Sequence, residues 1–300
     1  MYTKKIDRNH PGAIVLLLDQ SSSMKMPWDN LNDEDERLQM LLSLVDDIEL
    51  IAPSDPRTRS NRLAELANDF IREVVLSSTF NDEVRPYFHI AVFGYGGDDE
   101  VESLLDGTSV SDPFIVLDKI QAPESHEQVD ESGRLRRKPQ WIKPKAWGST
   151  PMFGALELAR DALSDWVDDH PESFPPIVFN ITDGEPSDIK IDEADEFLRF
   201  VSLCDEIREI STEDGGTLLF SALISDTDMT SQEYPSISPG DDLASKLLFE
   251  ISSVMPDNLR LNAKSIGLRI DEDGRCFIFK ADPENVMGML NIGTIATQFF

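Results

Sequence analysis

The amino-acid sequence predicts a doubly wound α/β fold, in which helices flank a mostly parallel central sheet. Strand-like and helix-like segments alternate along most of the chain, as repeated strand–helix units require. Several strand-like segments are continuous apolar runs, which indicate strands that helices cover on both faces. In such sheets the crossovers are right-handed, and ligands bind beyond the carboxyl ends of the strands.

The first half of the chain contains most of the predicted strands. Residues 13–18 are apolar throughout and form the first of them. Residues 62–76 carry apolar side chains three and four positions apart, which predicts an amphipathic helix. Residues 87–93 form the next strand, which we expect to end at the turn-rich sequence Gly-Tyr-Gly-Gly. Shorter strands are predicted at residues 101–105 and 114–117.

The second half of the chain continues the alternation. Residues 153–167 have the apolar spacing of a helix, and residues 176–181 form a strand that two prolines introduce. A helix at residues 196–210 and a buried strand at residues 217–224 follow. Further helices are predicted at residues 243–254 and 284–290, with a short strand at residues 276–279 between them.

Two segments interrupt this order. Residues 25–60 separate the first strand from its helix, where a few residues would suffice, and include a candidate helix around Leu38–Ile48. Residues 121–147 are polar, lack helical periodicity and are predicted to be a long loop that carries the basic cluster Arg134–Lys138. We interpret residues 1–300 as a single domain with these two interruptions and a C-terminal extension from about 255 to 300 packed on it.

The composition argues against several partners and compartments. The 300 residues include 27 basic and 57 acidic ones, a net charge of −30. Such a surface repels phosphate backbones and anionic lipids, so we expect a protein partner, with a basic surface, rather than nucleic acid or a membrane. Solubility alone would also explain the charge. No bilayer-spanning run and no signal-peptide pattern is present, which predicts a cytoplasmic protein whose Cys204 and Cys276 are buried free thiols.

Oxygen-bearing side chains lie in three loops that we expect to meet at one edge of the sheet. Asp19, Ser21 and Ser23 follow the first strand, Thr150 precedes a helix, and Asp183 follows a later strand. Asp19, Ser21 and Ser23 occupy every second position, so on an extended backbone their side chains point to the same side. Hydroxyls with at most two carboxylates suit Mg²⁺ or Mn²⁺, whereas Ca²⁺ is less favoured because it takes more carboxylates.

Each acid also has a simpler interpretation when it is considered alone. Asp19 is suited to capping a helix, and Asp183 to forming a turn with Gly184. Within the metal-site hypothesis, we expect Gly184 to let the backbone turn sharply away from the site.

The three loops together resemble the metal-ion-dependent adhesion site of von Willebrand factor A domains. The elements are Asp19-x-Ser21-x-Ser23, Thr150 in a Gly-Ser-Thr-Pro sequence, and Asp183 followed by glycine, in the same order and strand placement. The resemblance implies a Rossmann-like fold. It also implies that Ser21, Ser23 and Thr150 touch the metal, and that Asp19 and Asp183 bind it directly or through water.

The flanking residues refine the resemblance. Those around residues 141–144, 148–152 and 181–186 look most like the cytoplasmic bacterial branch of the family, and the likeness extends from about residue 13 to about residue 224. It implies a non-enzymatic module that grips a partner's carboxylate through its metal. It leaves open a regulatory subunit of an AAA+ ATPase or of a kinase/PP2C-phosphatase signalling set.

A metal-dependent phosphohydrolase is a weaker alternative. Asp19 would be its nucleophile, but serines follow Asp19 where such hydrolases would resemble Asp-x-Asp, and no Gly-rich Lys loop for phosphates is present. The insertion raises a separate question, because it starts two residues after Ser23. One acid among Asp29 and Asp33–Glu36 either fills the open metal position and gates partner binding, or the acidic tract only begins the candidate helix.

Overall fold

The computed structural model describes residues 2–28, 57–121, 124–129, 135–224, 231–265 and 270–295. The acidic tract Asp33–Glu36 and the candidate helix around Leu38–Ile48 therefore lie outside the described residues, and the gating hypothesis remains a prediction.

The described parts of the chain contain both long central strands and short peripheral ones. In chain order the strands are β1 (Gly12–Gln20), β2 (Thr79–Phe80), β3 (Glu83–Val84), β4 (Phe88–Gly96), β5 (Glu100–Ser103), β6 (Ile115–Val116), β7 (Glu124–Val129), β8 (Leu135–Gln140), β9 (Ile177–Thr182), β10 (Ser211–Thr212), β11 (Gly215–Gly216), β12 (Leu218–Ile224), β13 (Gln232–Glu233) and β14 (Phe277–Ala281). The α-helices are α1 (Arg59–Ser77), α2 (Met152–Asp169), α3 (Ala194–Glu209), α4 (Leu243–Ile251), α5 (Asp257–Ser265) and α6 (Pro283–Ile295).

The central sheet is mostly parallel, which confirms the predicted fold class. Its parallel strands follow the order β14-β12-β9-β1-β4, while β13 pairs antiparallel with β14, and β5 and β6 pair antiparallel with β4. From β1 the chain proceeds to β4 on one side of it and later returns to β9 on the other. This reversal is a topological switch point, and it leaves a crevice beyond the carboxyl ends of β1 and β9.

Helices cover both faces of the sheet because successive side chains of a strand point to opposite faces. Ile14 and Leu16 of β1 belong to the core cluster with α1, α5 and α6. Val15 and Leu17 belong to the cluster with α2, α3 and α4. Residues 13–18 of β1 are all buried, as their uninterrupted apolar sequence predicted, and the polar Asp19 and Gln20 that follow are buried too.

Strand β4 extends three residues beyond its predicted end at Phe93. Gly94–Gly96 continues the parallel pairing with β1, so Tyr95 lies opposite Asp19. A Cβ atom at Gly94 would lie 2.3 Å from Oε1 of Gln20, and one at Gly96 would lie 2.7 Å from the Gln20 carbonyl oxygen. The glycines therefore permit close approach of Gln20 to the strand, and the prediction that they end it was wrong.

The described residues of segment 121–147 include two strands where the sequence predicted only a long loop. These strands form the antiparallel pair β7–β8, which the sequence did not indicate because polar residues dominate both strands. Asn68 of α1 anchors the residues that follow: its Oδ1 accepts from the N–H groups of Trp141 and Ile142 at 2.7 and 2.9 Å. Lys138, from the basic cluster, donates to Glu65 and Asp69 of α1 at 2.8 and 3.2 Å.

The structure also tests the predictions for the two cysteines and for the C-terminal helices. Cys204 and Cys276 are buried free thiols as predicted, and burial raises the pKa of both. Helix α4 ends at Ile251, three residues short of its prediction, and α5 was not predicted. Among the helices of the described residues, none combines the length and the apolar character needed to cross a bilayer.

Candidate metal centre

Asp19 lies near the carboxyl end of β1, at the switch point of the sheet. Its side chain is buried, with the residue 1% exposed. One carboxylate oxygen accepts from the Ser21 N–H at 2.8 Å, and the other accepts from the Thr182 hydroxyl at 2.6 Å. Thr182 ends β9, so these contacts tie together the carboxyl ends of two neighbouring strands.

A chain of oxygen atoms connects the loop after β1 to the loop after β9. The hydroxyls of Ser21 and Ser23 lie 2.9 Å apart, and the Ser23 hydroxyl donates to Oδ1 of Asp183 at 2.6 Å. A 3₁₀ turn at Ser22–Lys25 produces this convergence. The two serines were predicted to face the same way on an extended backbone, but extended geometry ends at Ser21 and the turn brings them together.

The loop that contains Thr150 is tied by backbone hydrogen bonds to the loops after β9 and β1. Its N–H donates to the Ser187 hydroxyl at 2.7 Å, and its carbonyl accepts from the Ser187 N–H at 2.9 Å. Two residues earlier, the Gly148 carbonyl accepts from the N–H of Ser22 at 3.1 Å. The side chains of Ser21, Ser23 and Asp183 are thus linked by hydrogen bonds, and the Asp19 carboxylate joins them through the Ser21 backbone. The Thr150 loop is bonded to the loops on both sides of this series.

The loop before Thr150 depends on a close approach of two glycines. Gly148 has a φ of +73°, and a Cβ atom there would lie 2.0 Å from the carbonyl oxygen of Gly97. That carbonyl accepts from the Ser149 N–H at 2.8 Å, and the Gly97 N–H donates to the Trp147 carbonyl at 2.8 Å. The backbone bends at Asp183 and Gly184 as predicted, but the bend does not require glycine, because a Cβ atom at Gly184 meets nothing within 4 Å and its φ is not left-handed.

The site carries negative charge that a cation would offset. Burial of Asp19, and then the nearby charge of Asp183, raise the pKa of the Asp19 carboxyl to about 7, although hydrogen bonds from Thr182 and Ser21 oppose the shift. Two close carboxylates surrounded by hydroxyls form an all-oxygen donor set, which fits a hard divalent cation. Across the described residues no three His, Cys, Asp or Glu side chains form a metal-binding group, so a cation here would need the hydroxyls.

Arg59 was not recognised in the sequence as part of this site. It is the first residue of α1, its side chain is 7% exposed, and its Nη1 donates to Oδ2 of Asp183 at 2.6 Å. Thr182 was also missed, although its hydroxyl at a strand end was a usable signal. No comparable local pattern pointed to Arg59, because the contact joins residues 124 positions apart.

The fold and the site define an α/β domain in which side-chain oxygen atoms cluster at the topological switch point of the sheet, beyond the carboxyl ends of β1 and β9. Neither a model of a protein family nor a curated protein matches the chain. Among solved structures, the chain is similar to the vWF domain of the type V pili tip protein Mfa5 from Porphyromonas gingivalis. Identity is 11%, the match covers 97% of this chain and 95% of that chain, and the TM-score is 0.46.

Two larger structures are also similar to the chain. One contains three N-terminal domains of the same tip protein, with 15% identity, a TM-score of 0.30 and coverage of 59% of this chain and 20% of that chain. The other is the pilus adhesin RrgA from Streptococcus pneumoniae, with 14% identity, a TM-score of 0.28 and coverage of 61% and 22%. The match thus spans about a fifth of the length of each of these two chains.

Proposed function

We propose that the chain is a von Willebrand factor A-type domain of the cytoplasm, a non-enzymatic module that binds another protein through one divalent metal. Ser21, Ser23 and Thr150 would hold Mg²⁺ or Mn²⁺, with Asp19 and Asp183 binding directly or through water. The observation that carries the proposal is the hydrogen-bonded series of Asp19, Ser21, Ser23 and Asp183 beyond the switch point.

The chemistry of the donors explains why a partner carboxylate suits this site. When bound, a divalent cation supplies an electrophilic position that accepts an oxygen ligand from outside. The hydroxyls of Ser21, Ser23 and Thr150 are neutral, so only two carboxylates offset the charge of the ion. The net charge of −30 favours a partner whose carboxylate lies on an otherwise basic surface, and it disfavours nucleic acid and membranes.

Partner binding is expected to depend on the metal. The immobilised chain should retain a protein partner in Mg²⁺, release it in EDTA and recover it when Mg²⁺ is restored, because the partner's carboxylate needs the ion. Pull-down followed by mass spectrometry measures this, with Ser23→Ala as the variant that should not retain it. A partner held equally in EDTA and by Ser23→Ala would contradict the proposal. Recovery of an ATPase, a kinase or a phosphatase would distinguish the regulatory-subunit alternatives.

No phosphoester hydrolysis is expected from the purified chain. The oxygens of Asp19 accept hydrogen bonds from Ser21 and Thr182, neither of which is a general acid or base of suitable pKa. Incubation with p-nitrophenyl phosphate or ATP in Mg²⁺ should therefore release no more phosphate than buffer does. Turnover that disappears in Asp19→Asn would show that the chain is an enzyme.

A further inference from the structure

Arg59 brings a positive charge into contact with Asp183 of the candidate metal site. We infer that Arg59 is a positioning residue that fixes Asp183 and offsets its charge, which weakens metal binding but keeps a bound ion electrophilic towards a partner carboxylate. This inference rests on the proposed function. It concerns how strongly the site holds its metal, which the ligand set alone does not specify.

Asp183 is constrained through both of its oxygens. Oδ1 accepts from the Ser23 hydroxyl at 2.6 Å, and Oδ2 accepts from Nη1 of Arg59 at 2.6 Å. The Asp183 side chain is 0% exposed, so the carboxylate cannot turn freely towards solvent. With Oδ2 held by the guanidinium, Asp183 presents only Oδ1 to the side where Ser23 lies.

The base of the insertion holds Arg59 in position. The Arg59 N–H donates to the Met26 carbonyl at 2.8 Å, and the Trp28 N–H donates to the Arg57 carbonyl at 2.9 Å. Thr58, between the two arginines, caps α1 by accepting from the Asn61 N–H at 3.3 Å. The two ends of the insertion are thus joined beside the metal-site loop, and the arginine at this junction reaches Asp183.

The Arg59 guanidinium contributes one positive charge beside Asp183. Asp19, Asp183 and Arg59 together contribute a formal charge of −1 when both acids are ionised, whereas the two acids alone contribute −2. Fewer negative charges bind a divalent ion less tightly and leave more of its charge for an external ligand. A unit charge roughly 6 Å from a divalent ion alters its affinity by about tenfold even at the dielectric constant of water.

The test compares Arg59→Gln with two matched variants. Glutamine keeps an N–H donor for Asp183 but removes the charge, so Arg59→Gln should bind Mg²⁺ about tenfold more tightly than the natural chain. Arg59→Lys retains the charge and should stay near the natural affinity. Arg62→Gln removes the same charge one turn further along α1, where Arg62 pairs with Glu65, and should leave affinity unchanged. Calorimetric titration with Mg²⁺ alone gives the dissociation constants, and thermal unfolding checks that each variant is folded.

The outcomes separate this inference from the proposed function. The inference is supported if Arg59→Gln binds Mg²⁺ more tightly than the natural chain while Arg59→Lys binds it with the natural affinity. Unchanged or weaker binding by a folded Arg59→Gln overturns it while leaving the metal site in place. If Arg59→Gln does not fold, Arg59→Met replaces it under the same criteria. No Mg²⁺ binding by either the natural chain or the charge-removing variant overturns the proposed function together with the inference.

Discussion

Asp19→Ala is expected to lower Mg²⁺ affinity by at least about a hundredfold, since it removes one of the two predicted carboxylate ligands and its negative charge. The fold should persist. The substitution leaves the Ser21 N–H and the Thr182 hydroxyl without their acceptor, at a cost of roughly 1–3 kcal/mol each if they stay buried. Removal of a buried acid, whose pKa burial raises, offsets part of that cost.

Calorimetric titration with Mg²⁺ measures the effect, and thermal unfolding without metal measures the cost to the fold. Asp168→Ala is a suitable control, because Asp168 is exposed near the end of α2, the helix that starts beside Thr150. Asp168→Ala also removes a carboxylate, but at the end of α2 far from Thr150. Unchanged Mg²⁺ affinity in Asp19→Ala would disprove the assignment of the site.

Gly148→Ala is expected to destabilise the protein by about 3 kcal/mol or more and to weaken Mg²⁺ binding about tenfold. A left-handed φ costs a non-glycine residue roughly 1–2 kcal/mol, and the loss of each buried backbone hydrogen bond adds about 1 kcal/mol. Here a Cβ atom would lie 2.0 Å from the Gly97 carbonyl oxygen, so the backbone must move and the bonds between the two loops must break. Thr150, two residues later, would move with the loop.

Urea unfolding measures the stability change, and the same calorimetric titration measures the metal affinity. Gly107→Ala is the matched control, because Gly107 has a φ of +83° but a Cβ atom there meets nothing within 4 Å. It should cost only the backbone term of about 1–2 kcal/mol and leave Mg²⁺ binding unchanged. Equal losses in both variants would mean that the contact with Gly97 has no energetic importance.

The fold class was accessible from local patterns because burial on both faces imposes a continuous apolar sequence on a central strand. The burial of residues 13–18 follows directly from their apolar side chains, and the amphipathic spacing within residues 62–76 defines most of α1. The pair β7–β8 escaped prediction because its polar residues carry no such signal. Gly94 and Gly96 were misread as a turn, because glycine serves both turns and close contacts between strands.

For the candidate site, the strand ends and the resemblance predicted that Asp19, Ser21, Ser23 and Asp183 lie at one edge of the sheet, because the carboxyl ends of parallel strands share that edge. The structure brings these four residues together, and their role as metal ligands stays a prediction. The 3₁₀ turn that joins the two serines, the approach of Gly148 to Gly97 and the reach of Arg59 to Asp183 emerged only from the folded chain. These features depend on contacts between loops that are far apart in the sequence. The local spacing of residue types does not predict such contacts.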